Sequence, residues 1–138
     1  MPLSINLNSF SYKKEGIPED NSGNGGGFVF DCRFIYNPGR EEEFKSLTGK
    51  DEKVIRFLDS RKEMKDFLVN VFNIIDPAIE NYSGRNFTDL MISFGCTGGQ
   101  HRSVYAAEQT LNHINEKFPN VKVTLTHTVI GKGFGFGK

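Results

Sequence analysis

Leu3-Ser4-Ile5-Asn6-Leu7-Asn8 alternates apolar and polar side chains with a period of two, which predicts a strand with one buried face. Residues 16 to 27 carry turn-forming types almost throughout and read as a loop. The β-rich run Phe28-Val29-Phe30-Asp31-Cys32-Arg33-Phe34 follows, and the turn signal Asn37-Pro38-Gly39 closes it. From Lys50 the period becomes helical. A short helix is expected over Lys50 to Asp59, with Val54, Ile55 and Leu58 inward. Ser60 and Glu63 have the spacing of a capping box, and Met64, Phe67, Leu68, Val71, Phe72 and Ile75 keep one apolar face. That second helix is expected to reach about Tyr82, kinked or restarted at Pro77 because proline lacks the donor N–H. Leu90-Met91-Ile92-Ser93-Phe94 reads as a buried strand. Val104, Ala107, Leu111 and Ile114 mark a further helix, and Val121 to His127 alternates as a last strand. This order predicts a single α/β domain with a small, largely parallel or mixed sheet flanked by helices, its last β-α-β unit parallel and right-handed. Ligands of such sheets gather at the carboxyl ends of the strands, where the connection from Phe94 to Val104 must lie.

That connection is the most chemically loaded stretch of the chain. Gly95-Cys96-Thr97-Gly98-Gly99-Gln100-His101-Arg102-Ser103 joins a strand to a helix N-terminus, where unpaired amides and the positive end of the helix dipole favour an anion. Gly98 and Gly99 allow the backbone to turn its N–H groups inward. Arg102 offers a planar fork for phosphate oxygens, while Thr97, Gln100, His101 and Ser103 add further polar groups. Asp31 and Arg33 alternate to one face of their strand, and would point toward the same pocket if that strand lay beside Leu90 to Phe94. Cys96, five intervening residues, Arg102 and Ser103 also have the spacing of the cysteine-phosphatase loop, in which a thiolate attacks phosphorus and arginine holds the equatorial oxygens. Gly95 stands where such loops usually carry histidine, and no particular aspartate, Asp31 or Asp51, is singled out as a general acid. The competing reading makes Cys96 one wall of a binding pocket.

Composition narrows the partners. Seventeen basic residues balance seventeen acidic ones over 138 residues, so no global field draws the protein to nucleic acid. A charged-then-apolar leader and a run of membrane-spanning length are both missing from the sequence, which makes the cytoplasm the expected compartment and membrane partners unexpected. Cys32 and Cys96 are then expected as reduced thiols. His101, His113 and His127 show no metal-ligand spacing with them, and the glycine-rich turn lacks the ending of a Walker loop, so neither metal nor cofactor is expected. His127 itself reads as a surface residue. Lys132-Gly133-Phe134-Gly135-Phe136-Gly137 resembles the aromatic core of an RNA-recognition motif. Its place at the end of the chain favours a flexible tail over about 129 to 138, in which Phe134 and Phe136 could stack on a base.

Phe30-Asp31-Cys32-Arg33-Phe34 with Asn37-Pro38, Leu47-Thr48-Gly49-Lys50-Asp51, Ser9-Phe10-Ser11-Tyr12-Lys13 and the run from Phe94 to Tyr105 together resemble the C-terminal domain of the RapZ family. The resemblance covers about residues 4 to 127. It implies an α/β domain related to part of a phosphofructokinase, with the Cys96 to Ser103 loop as a pocket for phosphorylated sugars or similar anions. It also implies binding of small regulatory RNA, an adapter role toward a ribonuclease, and oligomer formation. The family's nucleotide label belongs to a Walker motif in a kinase-like N-terminal domain, so ATP or GTP activity is not carried over. The chain reads as a stand-alone domain, and a kinase-like protein is an expected partner. It departs from the family in the Ser22 to Gly27 insertion, in Gly39 where a histidine can stand, and in the tail from Val129. The expectation is a non-catalytic, cytoplasmic, homo-oligomeric sensor of a small phosphorylated metabolite, with structured RNA as a second ligand. The site residues expected are Cys96, Thr97, Gly98, Gly99, Gln100, His101, Arg102, Ser103, Asp31 and Arg33. The alternative is a phosphatase using Cys96 and Arg102.

Overall fold

A computed structural model describes residues 2–132. Four strands, β1 (Ser4–Ser11), β2 (Gly27–Asp31), β3 (Asp89–Cys96) and β4 (Lys122–His127), form one sheet in the order β2-β3-β1-β4. Every neighbouring pair is parallel, which settles the choice between a parallel and a mixed sheet. The helices are α1 (Glu52–Asp59), α2 (Lys62–Gly84) and α3 (Arg102–Lys117). No helix among the described residues is long and apolar enough to cross a membrane.

Strand register explains the layering. Ile5 stands beside Leu90 and Val123, Leu7 beside Ile92 and Leu125, and Phe28 and Phe30 beside Ile92 and Phe94. Because partners in a parallel ladder share a face, these side chains project together and join Val54, Leu58, Met64, Leu68, Val71, Ile75, Ala107 and Ile114 in one core. Burial of each large aliphatic residue there contributes about 1.5–3 kcal/mol. The opposite face is polar apart from Val29 and Met91: Asn8 Nδ2 donates to Ser93 Oγ at 3.2 Å and Thr124 Oγ1 to Asn6 Oδ1 at 2.9 Å. The segment before β2 is tied to the start of β3 by Asn24 Nδ2, which donates to Thr88 Oγ1 and to the Asp89 carbonyl.

Several elements differ from expectation for identifiable reasons. β1 and β3 run on to Ser11 and Cys96, so Cys96 is the last strand residue rather than part of the loop. β2 stops at Asp31 because the chain turns at Cys32, where the Ile35 N–H donates to the Cys32 carbonyl at 3.3 Å. Ser60 caps the end of α1, its Oγ donating to the Phe57 carbonyl, while Arg61 is the N-cap of α2. α2 passes through Pro77 without interruption. Proline removes the bond to the carbonyl of Asn73, and both residues are exposed, so water can satisfy the freed oxygen. His127 is mostly buried, its ring between Ser9 Oγ at 2.6 Å and Glu108 Oε2 at 2.8 Å. Val129 is buried, and residues 130–132 form a 3-10 turn where a tail was expected to begin; Phe134 and Phe136 lie outside the described residues.

Gly95 fixes the end of β3. A Cβ there would sit 2.4 Å from the Phe10 ring and 2.7 Å from that of Tyr12. Gly95→Ala is therefore expected to destabilise the domain by about 1–3 kcal/mol through overpacking, read as a lower urea midpoint at unchanged slope.

Candidate anion site

Cys96, Gly98, Gln100, His101 and Arg102 line a cavity of about 350 Å³ together with Asn37, Gly39 and Lys45. It lies between the carboxyl end of β3, the first residue of α3 and the segment of 3-10 turns at Pro38–Arg40 and Glu42–Phe44. Thr97, Gly99, Ser103, Asp31 and Arg33 do not line it.

Arg102 is the first residue of α3, two positions earlier than the apolar periodicity indicated, and is only 4% exposed. Its Nη1 donates to the carbonyls of Arg33 and Ile35, both at 2.8 Å. These oxygens come from the turn that ends β2, so the guanidinium takes the place of further ladder bonds. Its Nε is buried and has no partner among the described residues. Arg102 therefore borders the cavity with one guanidinium nitrogen left unsatisfied. The backbone N–H groups from Gly98 to Ser103 likewise find no acceptor among the described residues. They surround the N-terminus of a helix of 16 residues, where the dipole adds positive potential. Lys45 supplies a second cation, its Nζ donating to the Gly39 carbonyl at 3.3 Å. No carboxylate lines the cavity among the described residues.

The walls are braced by side chains that sequence spacing could not assign. Gln100 Nε2 donates to the carbonyls of Lys45 and Leu47, at 2.8 and 2.7 Å, and the Gly49 N–H donates to the Gln100 carbonyl at 2.9 Å. Gln100 therefore fastens the facing segment, with its amide donors already engaged. Gly49 is a point of close approach, since a Cβ would lie 2.4 Å from the His101 carbonyl. Asn37 Oδ1 accepts from the Gly39 N–H at 2.9 Å and caps the first 3-10 turn. Three lining residues lie outside the expected set: Asn37 and Gly39, which the sequence marks as a turn and, through the family resemblance, as part of a matching and a departing position, and Lys45, which carries no pattern.

His101 is 5% exposed. Its Nε2 donates to the Phe44 carbonyl at 2.9 Å, leaving Nδ1 as the acceptor of the neutral ring. Burial, with Arg102 adding to it, holds its pKa below the usual 6.5. Cys96 is 2% exposed and its Sγ–H donates to Ser103 Oγ at 3.2 Å, which directs Ser103 into the core. Asp31 and Arg33 pair with each other at 2.7 Å, and Arg33 lies over the Tyr12 ring at 3.8 Å. That hydrogen bond holds the Asp31 carboxyl below its ordinary range. Thr97 serves through its carbonyl, which accepts from Ser11 Oγ at 2.6 Å.

With this geometry described, comparison with other proteins places the chain. Residues 3–131 match the sequence profile of the RapZ C-terminal domain. The chain belongs to the RapZ C-terminal domain family. A nucleotide-binding protein of Thermosipho melanesiensis is 38% identical over 123 residues, covering 89% of this chain and 41% of the relative. One from Shewanella oneidensis is 39% identical over 120 residues, covering 87% and 39%, and one from Hahella chejuensis 35% over 121 residues, covering 88% and 40%. The chain thus spans about two-fifths of the length of these curated relatives.

Two predictions test the site's construction. Gly99 has φ +69° and a Cβ there would lie 2.6 Å from Val129 Cγ2, whereas a Cβ on Gly98 meets nothing within 4 Å. Gly99→Ala is expected to cost about 1–3 kcal/mol and Gly98→Ala less than about 0.5, measured by denaturant unfolding. His101 favours its neutral form in the fold, so its contribution is complete above pH 6.5 and is lost as pH falls below that through the lower folded value. His101→Gln, which can still donate to Phe44, is expected to show a flatter fall of Tm between about pH 7 and 5.

Proposed function

We propose that this domain is a non-catalytic, regulatory ligand-binding module whose cavity takes the phosphate group of a small metabolite. The observation that carries the reading is the buried Nε of Arg102, unpaired among the described residues on a side chain that borders a cavity without a carboxylate at a helix N-terminus. A buried guanidinium edge left unsatisfied costs free energy that an anion would recover, and phosphate fits a planar donor fork. The backbone N–H groups of the lining residues Gly98, Gln100, His101 and Arg102 would cradle its oxygens, and Lys45 would neutralise charge at the rim. The Nδ1 of a neutral His101 would accept from a hydroxyl of the ligand, a pattern suited to a sugar phosphate. The relatives' designation as nucleotide-binding proteins is compatible with this chemistry, since a nucleotide also presents phosphate. Binding of structured RNA, association with a ribonuclease or kinase-like protein, and self-association are supported by family membership alone.

Inorganic phosphate and a hexose phosphate are expected to raise Tm in a concentration-dependent way, by about 2.7 kcal/mol of stabilisation at a hundredfold excess over Kd. Arg102→Lys keeps the charge but removes the fork and is expected to weaken binding about tenfold or more. Lys45→Ala should weaken it less. Stabilisation unchanged in Arg102→Lys would defeat the assignment.

A further inference from the structure

Cys32 and Cys96 are opposite one another at the end of the β2–β3 ladder. The last paired residues are Asp31 and Gly95, a pair closed by the Cys32 N–H donating to the Gly95 carbonyl at 2.7 Å, so Cys32 and Cys96 are the residues that directly follow that pair. Alternation sets Phe28, Phe30 and Cys32, and likewise Ile92, Phe94 and Cys96, on the same helix-facing side. Adjacent strands lie about 4.8 Å apart, within the roughly 4.4–6.8 Å Cα separation that a disulfide bridges. Both thiols are free and buried, but only Cys96 borders the cavity. Burial beside Cys96 also pushes the Cys32 thiol well above its ordinary pKa, as expected of a group shielded from solvent.

We infer that Cys96 and Cys32 form a redox pair beneath the cavity, with Cys96 as the residue oxidised by hydrogen peroxide and Cys32 as the resolving thiol. Deprotonated Cys96 attacks one peroxide oxygen; the O–O bond breaks, and the departing hydroxide takes the thiol's proton to leave as water. The resulting sulfenic acid is attacked at sulfur by Cys32. The S–O bond breaks, and hydroxide leaves as a second water with the Cys32 proton. Two thiols are oxidised to one disulfide and the peroxide is reduced to two waters. Drawing Cys96 toward β2 ends its bond to Ser103 and shifts the wall next to Arg102, whose Nη1 holds the carbonyl of Arg33, the residue after Cys32. Oxidation would therefore change anion affinity, a consequence that rests on the reading above.

The test treats the reduced, full 138-residue chain with hydrogen peroxide, blocks remaining thiols and maps the tryptic peptides ending at Arg33 and Arg102. The expected product is lighter by two hydrogens, takes no alkyl group, joins those two peptides within one chain and reverts with dithiothreitol. Cys32→Ser is expected to hold Cys96 as a sulfenic acid trapped by dimedone, and Cys96→Ser to leave Cys32 unoxidised. Two free thiols after peroxide, over-oxidised Cys96 without a link, or links only between chains would each overturn the proposal. If either serine variant fails to fold, the map of the unaltered protein decides. A reduced protein that phosphate fails to stabilise would count against the anion site, independently of the disulfide map.

Discussion

Arg102 carries a permanent positive charge, almost wholly buried, at the first residue of α3. That is an unfavourable place for a cation, because the helix N-terminus is itself positive and burial removes solvation. The fold offsets this with two backbone carbonyls on Nη1, from Arg33 and Ile35. The same two bonds decide where β2 ends. A strand that ran on to Phe34 would carry these oxygens away from the guanidinium, whereas the turn at Cys32 presents both to it. One side chain on α3 therefore sets the end of the edge strand, and the edge strand holds that side chain with its Nε side free.

The cavity exists because segments far apart in sequence are brought to the end of β3 without filling it. Gly95 admits the Phe10 ring, Gly99 admits Val129, and Gly49 admits the backbone of α3's first turn. Each position has a different tenant, and each would be blocked by a single methyl group. Gln100 and His101 then bind the carbonyls of residues 44, 45 and 47 across the opening. The polar groups most suggestive of ligand contact in the sequence are thus divided between two tasks. Gln100 and His101 brace the facing segment, while the amides and the Arg102 edge stay available.

Strand and helix periodicity made most of the fold legible, since Ile5, Leu7, Ile92, Ala107 and Ile114 are core residues on the expected faces. The place of the glycine-rich loop between a buried strand and a helix N-terminus was legible too, because the period changes on either side of it. What periodicity could not show was the identity of the opposing wall. Lys45 lies in a stretch with no regular period, and it reaches the cavity through two 3-10 turns whose placement depends on Gln100. Asp31 and Arg33 show the converse error of inference. Their proximity to β3 was read correctly, but β2 ends at Asp31, Arg33 lies in the turn beyond it, and a mutual ion pair over Tyr12 satisfies them locally and leaves the cavity to other residues. Ser60 illustrates the same ambiguity on a helix: its hydroxyl suits either end, and the loop between α1 and α2 is too short to separate the two roles.

The contacts that close the site are long in sequence: Arg102 to Arg33, His101 to Phe44 and Gln100 to Lys45. Each joins the loop and first helix residue that follow β3 to the segment that follows β2. The site is consequently a product of the global fold and not of a local loop motif. A short Cys-x5-Arg loop could in principle curl around an anion by itself, as the spacing alone suggested. Here Gly95 is pinned under Phe10, Cys96 is the last residue of a strand, and the arginine is held by carbonyls from another strand's turn. An anion bound to such a site stabilises the whole domain rather than ordering one loop, since the donors it meets are assembled only in the folded state.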